Sequence, residues 1–175
     1  MDNGIRTLTA EVLVREYYQA VYRFAFRLSG SSGDAEDLTQ QTFLVACRKL
    51  ESLRDVDRAR SWLFTIVRNL YLKSRPAPER ETASLSDVAE PTAHWEWDGQ
   101  IDQERLQLAL NDLPEAYRTP LLLYYFEDSS YKEIAQVLEA PIGTVMSRLS
   151  RAKEALRQAL GSAEDAGLVS QTSRR

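Results

Sequence analysis

Apolar residues recur at spacings of three and four along several stretches of the chain, a period that predicts amphipathic helices. The apolar positions of the first stretch are Leu13, Tyr17, Val21, Phe24 and Leu28. Thr7 or Thr9 can cap the N-terminus of this helix, and the Ser29-Gly30 pair ends it. The pattern therefore predicts one long helix at the start of the folded chain.

The second helix is predicted from Ala35 to about Leu50, after a capping aspartate at position 34. Its large apolar residues do not form a single stripe, because Leu38, Phe43 and Leu44 are spread around the helix. Exposed apolar side chains framed by polar ones usually mark a protein-binding face, so we expect such a face here. A helix that is buried on two sides explains the same pattern equally well.

The third helix is predicted from about Arg58 to Ser74, after a polar loop. Basic residues on it alternate with Trp62, Phe64 and Tyr71. This composition is typical of surfaces on which single-stranded bases stack on aromatic rings while arginines hold the phosphates. A solvated basic face above buried aromatic residues is the competing explanation.

Helical periodicity is lost from Pro76 to Gln100, a segment rich in proline and small polar residues. Residues 76–112 carry 2 basic and 9 acidic side chains. We therefore predict a flexible acidic linker over residues 76–100, between one helical domain at residues 7–75 and another at residues 101–160. Within the second domain, helices are predicted at residues 101–113 and 114–126. Residues 161–175 are expected to form a disordered tail.

Residues 130–160 predict two helices joined by a tight turn. Ser130 and Glu133 have the spacing of a capping box, which marks the start of the shorter helix. The longer helix begins at about Ile142 and turns a face of serines and arginines away from its apolar stripe. Such a pair is typical of a helix-turn-helix whose second helix enters the major groove of DNA, although an ordinary amphipathic hairpin is possible.

Glu139 stands in the turn of this motif, where glycine is common. We therefore expect either a turn without positive φ or some backbone strain at Glu139.

Composition narrows the classes of function. The net charge of −4 offers few cations to displace counterions from DNA, so we expect another protein to help the chain reach its site. One histidine and one cysteine, without a glycine-rich phosphate loop or metal-ligand spacing, argue against an enzyme, a metal site or a cofactor. Without a signal peptide or a membrane-length apolar run, we expect a cytoplasmic protein with no membrane insertion.

Three segments, in this order and at these separations, make the sequence similar to bacterial extracytoplasmic-function (ECF, group IV) RNA polymerase sigma factors. The segments are DAEDLTQQTFLVACRKL, SWLFTIVRNLYLKSRP and LPEAYRTPLLLYYFEDSSYKEIAQVLEAPIGTVMSRLSRAKEAL. The resemblance implies an all-α protein in which sigma region two (7–75) and the helix-turn-helix of sigma region four (101–160) flank the linker. It implies core RNA polymerase, promoter DNA and an anti-sigma factor as partners. An autonomous helix-turn-helix transcription regulator is the alternative function.

The resemblance also implies roles for particular residues. It assigns polymerase binding to Asp37, Gln40 and Phe43. It assigns contacts with the melted −10 promoter element to Arg58, Arg60, Trp62, Arg68 and Asn69. The loop from Glu51 to Arg60 is implied to be the pocket for a flipped base of the non-template strand. It assigns recognition of the −35 element to Thr144, Ser147, Arg148, Ser150 and Arg151.

Overall fold

The computed structural model describes residues 8–53, 55–75 and 102–172, which fold into seven α-helices with no β-strand in those ranges. The helices are α1 (Ala10–Ser29), α2 (Ser32–Lys49), α3 (Ala59–Ser74), α4 (Gln103–Asp112), α5 (Glu115–Tyr125), α6 (Tyr131–Leu138) and α7 (Ile142–Thr172). The all-α prediction is therefore confirmed. The predicted linker at residues 76–100 lies outside the described residues. None of the helices in the described part of the chain is both long and apolar enough to cross a bilayer.

Helices α1, α2 and α3 pack around one apolar core. Thr9 caps α1 by accepting a hydrogen bond from the backbone N–H of Val12, and Gly30 ends α1 with a φ of 74°. At the centre of this core the rings of Phe24 and Phe64 lie 4.9 Å apart between centroids. The predicted first and third helices are thus present with nearly the expected bounds.

Helix α2 begins at Ser32, three residues before the predicted Ala35. The reason is that Ser31, rather than Asp34, is its N-cap: the Ser31 hydroxyl accepts a hydrogen bond from the backbone N–H of Asp34 at 3.3 Å. Serine and aspartate are both favoured at the N-cap of a helix, so either residue could have started α2. Asp34 instead lies in the first turn, where a carboxylate favours the positive end of the helix dipole.

Helices α6 and α7 form the predicted helix-turn-helix, and they pack with α4 and α5. The capping box is present: Ser130 Oγ accepts from the N–H of Glu133 at 3.3 Å, and Glu133 Oε2 accepts from the N–H of Ser130 at 2.8 Å. In the turn, Glu139 adopts a left-handed conformation with φ of 50°. The motif therefore contains the modest strain that a non-glycine residue brings to this conformation.

Helix α7 continues to Thr172, past the predicted end at Leu160. Residues 161–172 are therefore helical, whereas we expected a disordered tail from residue 161. Each residue added to an existing helix gains a hydrogen bond without a new nucleation cost, and this stretch contains no proline to stop the helix.

The first three helices pack directly against the last four, with α4 and α5 on α1 and α6 on α3. Arg118 of α5 is only 6% exposed at this junction. Its guanidinium donates to the carbonyl of Leu28 at 2.7 Å and to Tyr71 Oη at 3.3 Å, and to the carbonyls of Asn111 at 2.7 Å and Leu113 at 2.8 Å. One cation thus satisfies carbonyls at the ends of both α1 and α4, where the helix dipoles favour positive charge.

We predict that Ser130→Ala lowers the free energy of unfolding by about 1 kcal/mol, because it removes the N-cap of α6. The bonds with Ser130 lower the pKa of Glu133. The contribution of the capping box should therefore be present above the ordinary pKa of glutamate and be lost as the pH falls through the lowered folded-state pKa. Urea unfolding of the parent protein and of Ser130→Ala, at neutral and at acidic pH, measures the difference in their free energies of unfolding.

Ser129→Ala, which changes the neighbouring serine outside the capping box, is the control and should cost less than about 0.5 kcal/mol. An equal loss of unfolding free energy for both variants at neutral pH would show that the capping box stabilises the protein no more than the neighbouring serine does.

Candidate polymerase and promoter interfaces

The exposed face of α2 is a polar stripe with one large apolar residue at its centre. The stripe consists of Asp37, Gln40, Gln41, Leu44 and Arg48. Leu44 is 58% exposed, which agrees with the prediction that some apolar groups of this helix lie outside the core. Phe43 is only 7% exposed, and its ring stacks on Tyr18 with 6.2 Å between centroids. The expectation of an exposed Phe43 is therefore wrong, and Leu44 occupies that place on the surface.

The aromatic residues of α3 divide between core and surface. Phe64 is 1% exposed and Tyr71 is 4% exposed, so neither ring is available to stack on a base. For these two residues the competing explanation, buried aromatics beneath a basic face, is correct. Trp62 is only half-buried and remains accessible from one side.

Trp62 and Arg58 line a cavity of about 380 Å³ between α3 and the loop that precedes it. The other lining residues are Ser52, Leu53, Asp55, Ser61, Thr65 and Gln136. Hydroxyl, carboxylate and amide groups beside an indole ring can both stack on a base and form hydrogen bonds with its edge. The resemblance implied a base pocket in this loop, and the cavity found here also includes Gln136, which α6 contributes from the other half of the chain.

Arg60 and Arg68 lie on a different face of α3 from Trp62, and both form ion pairs with the second half of the chain. Arg60 Nη2 lies 2.7 Å from Glu127 Oε2, and Arg68 Nε lies 2.8 Å from Glu115 Oε1. Asn69, by contrast, is exposed. The structure therefore separates the five residues assigned to the −10 element into two groups, one accessible and one paired.

Glu127 is almost fully buried, at 1% exposure. Burial raises the pKa of its carboxyl group, while the hydrogen bond and charge of Arg60 act in the opposite direction. Nearby, the guanidinium of Arg27 lies 4.0 Å above the ring centroid of Phe126. Burial also lowers the pKa of Arg27 from its ordinary value. The charge of Arg27 also acts to lower the pKa of Glu127, so Arg60 and Arg27 both oppose the effect of burial on this carboxyl group.

The residues assigned to the −35 element all lie on α7 and are all half-buried. They are Thr144, Ser147, Arg148, Ser150 and Arg151. Ser147 Oγ donates to the carbonyl of Thr144 at 3.0 Å, a bond within the helix itself. Residues 142–160 contain 4 basic side chains and 1 acidic side chain, so this helix carries local positive charge despite the net negative chain. A helix of this kind can approach phosphates and base edges in a major groove.

Ile142 is a further surface residue that the sequence analysis did not assign to the interface. It is 47% exposed at the first turn of α7, the end of a recognition helix that approaches bases most closely. Its position at the start of the helix was visible in the sequence, but its exposure depends on packing. An apolar group there can contact the methyl group of thymine.

Comparisons with known proteins match both halves of the chain. The family model described as Sigma-70 region 2 matches residues 13–75, and the model described as Sigma-70, region 4 matches residues 103–156. The ECF RNA polymerase sigma factor SigW of Bacillus subtilis is 30% identical over 85% of this chain and 87% of its own length. The ECF RNA polymerase sigma factor SigE of Mycolicibacterium smegmatis is 34% identical over 85% of this chain, which spans 60% of SigE.

Among solved structures, the chain is similar to the sigma factor RpoE from Bartonella quintana, solved in complex with the anti-sigma factor NepR. The TM-score is 0.68 with 29% sequence identity, and the match covers 85% of this chain and 94% of that chain.

Proposed function

We propose a role for each surface from one premise: the chain belongs to the extracytoplasmic-function family of RNA polymerase sigma factors, which direct core polymerase to promoters. The observation that carries the proposal is the presence of a region-two match and a region-four match in one chain. An autonomous regulator needs only the helix-turn-helix. A factor that works with polymerase needs a second unit to bind the enzyme and open DNA.

The exposed stripe of α2 is the proposed polymerase-binding surface. Asp37 and Gln40 are accessible there as the resemblance implies, and Leu44 supplies the apolar contact that we had assigned to Phe43. An exposed apolar side chain ringed by polar groups is the usual form of a contact that dominates a protein interface.

Helix α3 and the cavity beside it are proposed to hold the melted −10 element. A base that leaves the duplex loses stacking, at a cost of about a few kcal/mol, and contacts in a pocket offset that cost. Trp62 offers a ring, while Asp55 and Gln136 offer hydrogen bonds. Arg58, which lines the cavity, and Asn69, which is exposed on α3, would meet the strand backbone.

Helix α7 is proposed to recognise the −35 element through its serines and arginines. We also propose an anti-sigma factor as a partner, supported by the similar Bartonella quintana protein, which was solved with one. The chain would act in the cytoplasm alongside its polymerase, and we assign it no catalytic role.

The test of this function is binding and transcription with and without core polymerase. The free protein should bind promoter duplex weakly, because its net charge of −4 releases few counterions, and should bind tightly and transcribe once core polymerase is added. A fluorescence anisotropy titration at physiological salt measures the binding to duplex DNA, and a run-off assay measures transcription. Tight, sequence-selective binding by the free protein would favour the autonomous regulator instead.

We predict that Leu44→Ala weakens assembly with core polymerase by about tenfold, because it removes an exposed apolar contact. The unfolding free energy should stay within about 0.5 kcal/mol of the parent. Surface plasmon resonance with immobilised core polymerase measures assembly, and urea unfolding measures stability.

The neighbouring substitution Phe43→Ala is the matched control. It should cost about 3 kcal/mol of stability by emptying a buried site. Unchanged assembly of a stable Leu44→Ala variant would show that α2 does not bind polymerase through this residue.

We predict that Arg151→Ala and Asn69→Ala affect different steps. Arg151→Ala should weaken binding to a −35 duplex by about 1–3 kcal/mol, with a dependence on base sequence. Asn69→Ala should leave that binding unchanged and slow promoter opening, because α3 meets bases only after they unstack. Permanganate footprinting of unpaired thymines and gel shifts on −35 duplexes measure the two effects.

Arg157→Ala is the control on the same helix, since it removes the same charge nearer the C-terminus and should weaken all duplexes alike. Sequence-independent losses for Arg151→Ala, together with normal opening by Asn69→Ala, would show that both assignments are wrong.

A further inference from the structure

Two large apolar side chains on the surface have no place in the roles proposed above. Within the described residues, the exposed large apolar side chains are Tyr18, Leu44, Leu108 and Ile142. Leu44 belongs to the proposed polymerase-binding stripe and Ile142 to the proposed recognition helix. Leu108 on α4, at 60% exposed, and Tyr18 on α1, at 43% exposed, remain. Exposed apolar groups that lie close together usually mark a binding surface.

Leu108 lines a groove of about 480 Å³ between α1 and α4. The apolar walls of this groove also include Tyr22 and Phe26 of α1. The Tyr22 ring stacks on the Tyr18 ring, with 6.5 Å between centroids and 8° between planes, so the aromatic surface continues from the groove along α1. A groove of this size with aromatic walls can accept an aromatic side chain.

The groove begins where the chain enters α4. Gln107 Nε2 on α4 donates to the carbonyl of Arg27 on α1 at 3.1 Å. About one turn further along both helices, Asn111 lies against Gly30. The two helices therefore run in the same direction, and the first residue of α4, Gln103, lines the groove at its other end. The segment that precedes α4 thus joins the structure at the end from which the aromatic surface continues.

The sequence of that segment complements the groove. Residues 90–101 include Trp95 and Trp97, whose spacing of two places both rings on one side of an extended chain. The same residues contain three carboxylates and no lysine or arginine. The charged residues that line the groove are Arg23, Arg27 and Glu104. The indoles therefore suit the apolar walls, and the acidic side chains suit the excess of arginine.

We propose that residues 95–98, which read Trp-Glu-Trp-Asp, dock in the groove between α1 and α4. An indole packs against Tyr22 and Leu108, and a neighbouring carboxylate pairs with Arg23, which is exposed. The predicted linker then has an anchor on α1, and its span between the two halves is shortened to residues 76–94. This docking needs neither polymerase nor DNA, so it does not depend on the promoter roles proposed above.

The chain is long enough for this contact. Trp97 is six positions before Gln103, and six residues span up to about 20 Å. The groove follows α1 from Tyr22 to Gly30, a length of about 12 Å. So short a tether gives the segment an effective concentration of about millimolar, with which a second copy of the chain in dilute solution competes poorly. Burial of one indole then favours the docked form by about tenfold.

The test is acrylamide quenching of fluorescence in full-length Trp62→Phe, in which Trp95 and Trp97 are the remaining tryptophans. Docking should shield these indoles and move their emission to shorter wavelength. Adding Leu108→Glu should raise the quenching constant severalfold and reverse that shift, because it places a carboxylate against the ring and the acidic segment. The matched control is Leu44→Glu, the same change at a leucine that is 58% exposed and outside the groove, and it should alter neither quantity.

The charged contact is tested in the same Trp62→Phe background. Salt should increase the quenching, because it screens the pairing with Arg23. Glu96→Gln with Asp98→Asn should increase the quenching at low salt and abolish its dependence on salt. Circular dichroism checks that each variant is folded, and the uncharged Leu108→Ser replaces Leu108→Glu if that variant unfolds.

Quenching at the level of a free indole, equal with and without Leu108→Glu, would overturn the docking and leave the groove to a separate protein. Shielding that is lost on dilution, together with a dimer in sedimentation velocity, would overturn it too, since a second copy would then fill the groove. Shielding that persists unchanged in both Leu108 variants would show that the tryptophans are buried elsewhere, and the docking would also be wrong.

Discussion

The guanidinium of Arg118 is the interaction on which the arrangement of this protein depends. It is buried where α1 ends, where α4 ends and where α3 presents Tyr71, and its donors reach all three. Burial removes the hydration of this cation, and the bonds from its Nη1 and Nη2 offset that loss only when the three helices meet in this arrangement. Its Nε is also buried and has no hydrogen-bond partner among the described residues. Gly30 shows how close that meeting is: a Cβ there would lie 2.5 Å from Asn111 Oδ1. Once α1 and α5 are fixed in this way, Glu115 and Glu127 lie within ion-pair distance of Arg68 and Arg60 on α3.

Local signals were enough to predict the helices, because helix caps and the hydrophobic periodicity depend on residues only a few positions apart. Thr9, Gly30 and the Ser130–Glu133 box each mark an end that the structure contains. Where two local signals compete, the sequence does not decide between them. Ser31 and Asp34 are both good caps, and α2 starts from the first. Likewise Phe43 and Leu44 are adjacent apolar residues, and the packing of α2 on α1, where the Phe43 ring stacks on Tyr18, buries Phe43 rather than Leu44.

The candidate site was predictable one helix at a time but not as an assembly. The residues that the resemblance assigned to the −10 element lie on α3, except for Arg58, which directly precedes its first residue. The resemblance could not place their partners, since Arg68 and Glu115 are 47 positions apart and Arg60 and Glu127 are 67 positions apart. Nor could it place Gln136 in the cavity beside Trp62, because that contact also joins distant parts of the chain. Contacts of this range follow from how whole helices pack, which no short motif encodes.

The charges along the chain explain why such long-range partners exist. Residues 102–139 carry 3 basic and 8 acidic side chains, and they lie between the basic α3 and the basic first half of α7. The guanidinium fork fits a carboxylate and a phosphate in the same planar, two-bond geometry. A helix equipped to hold phosphates is therefore also a helix that an acidic neighbour can occupy.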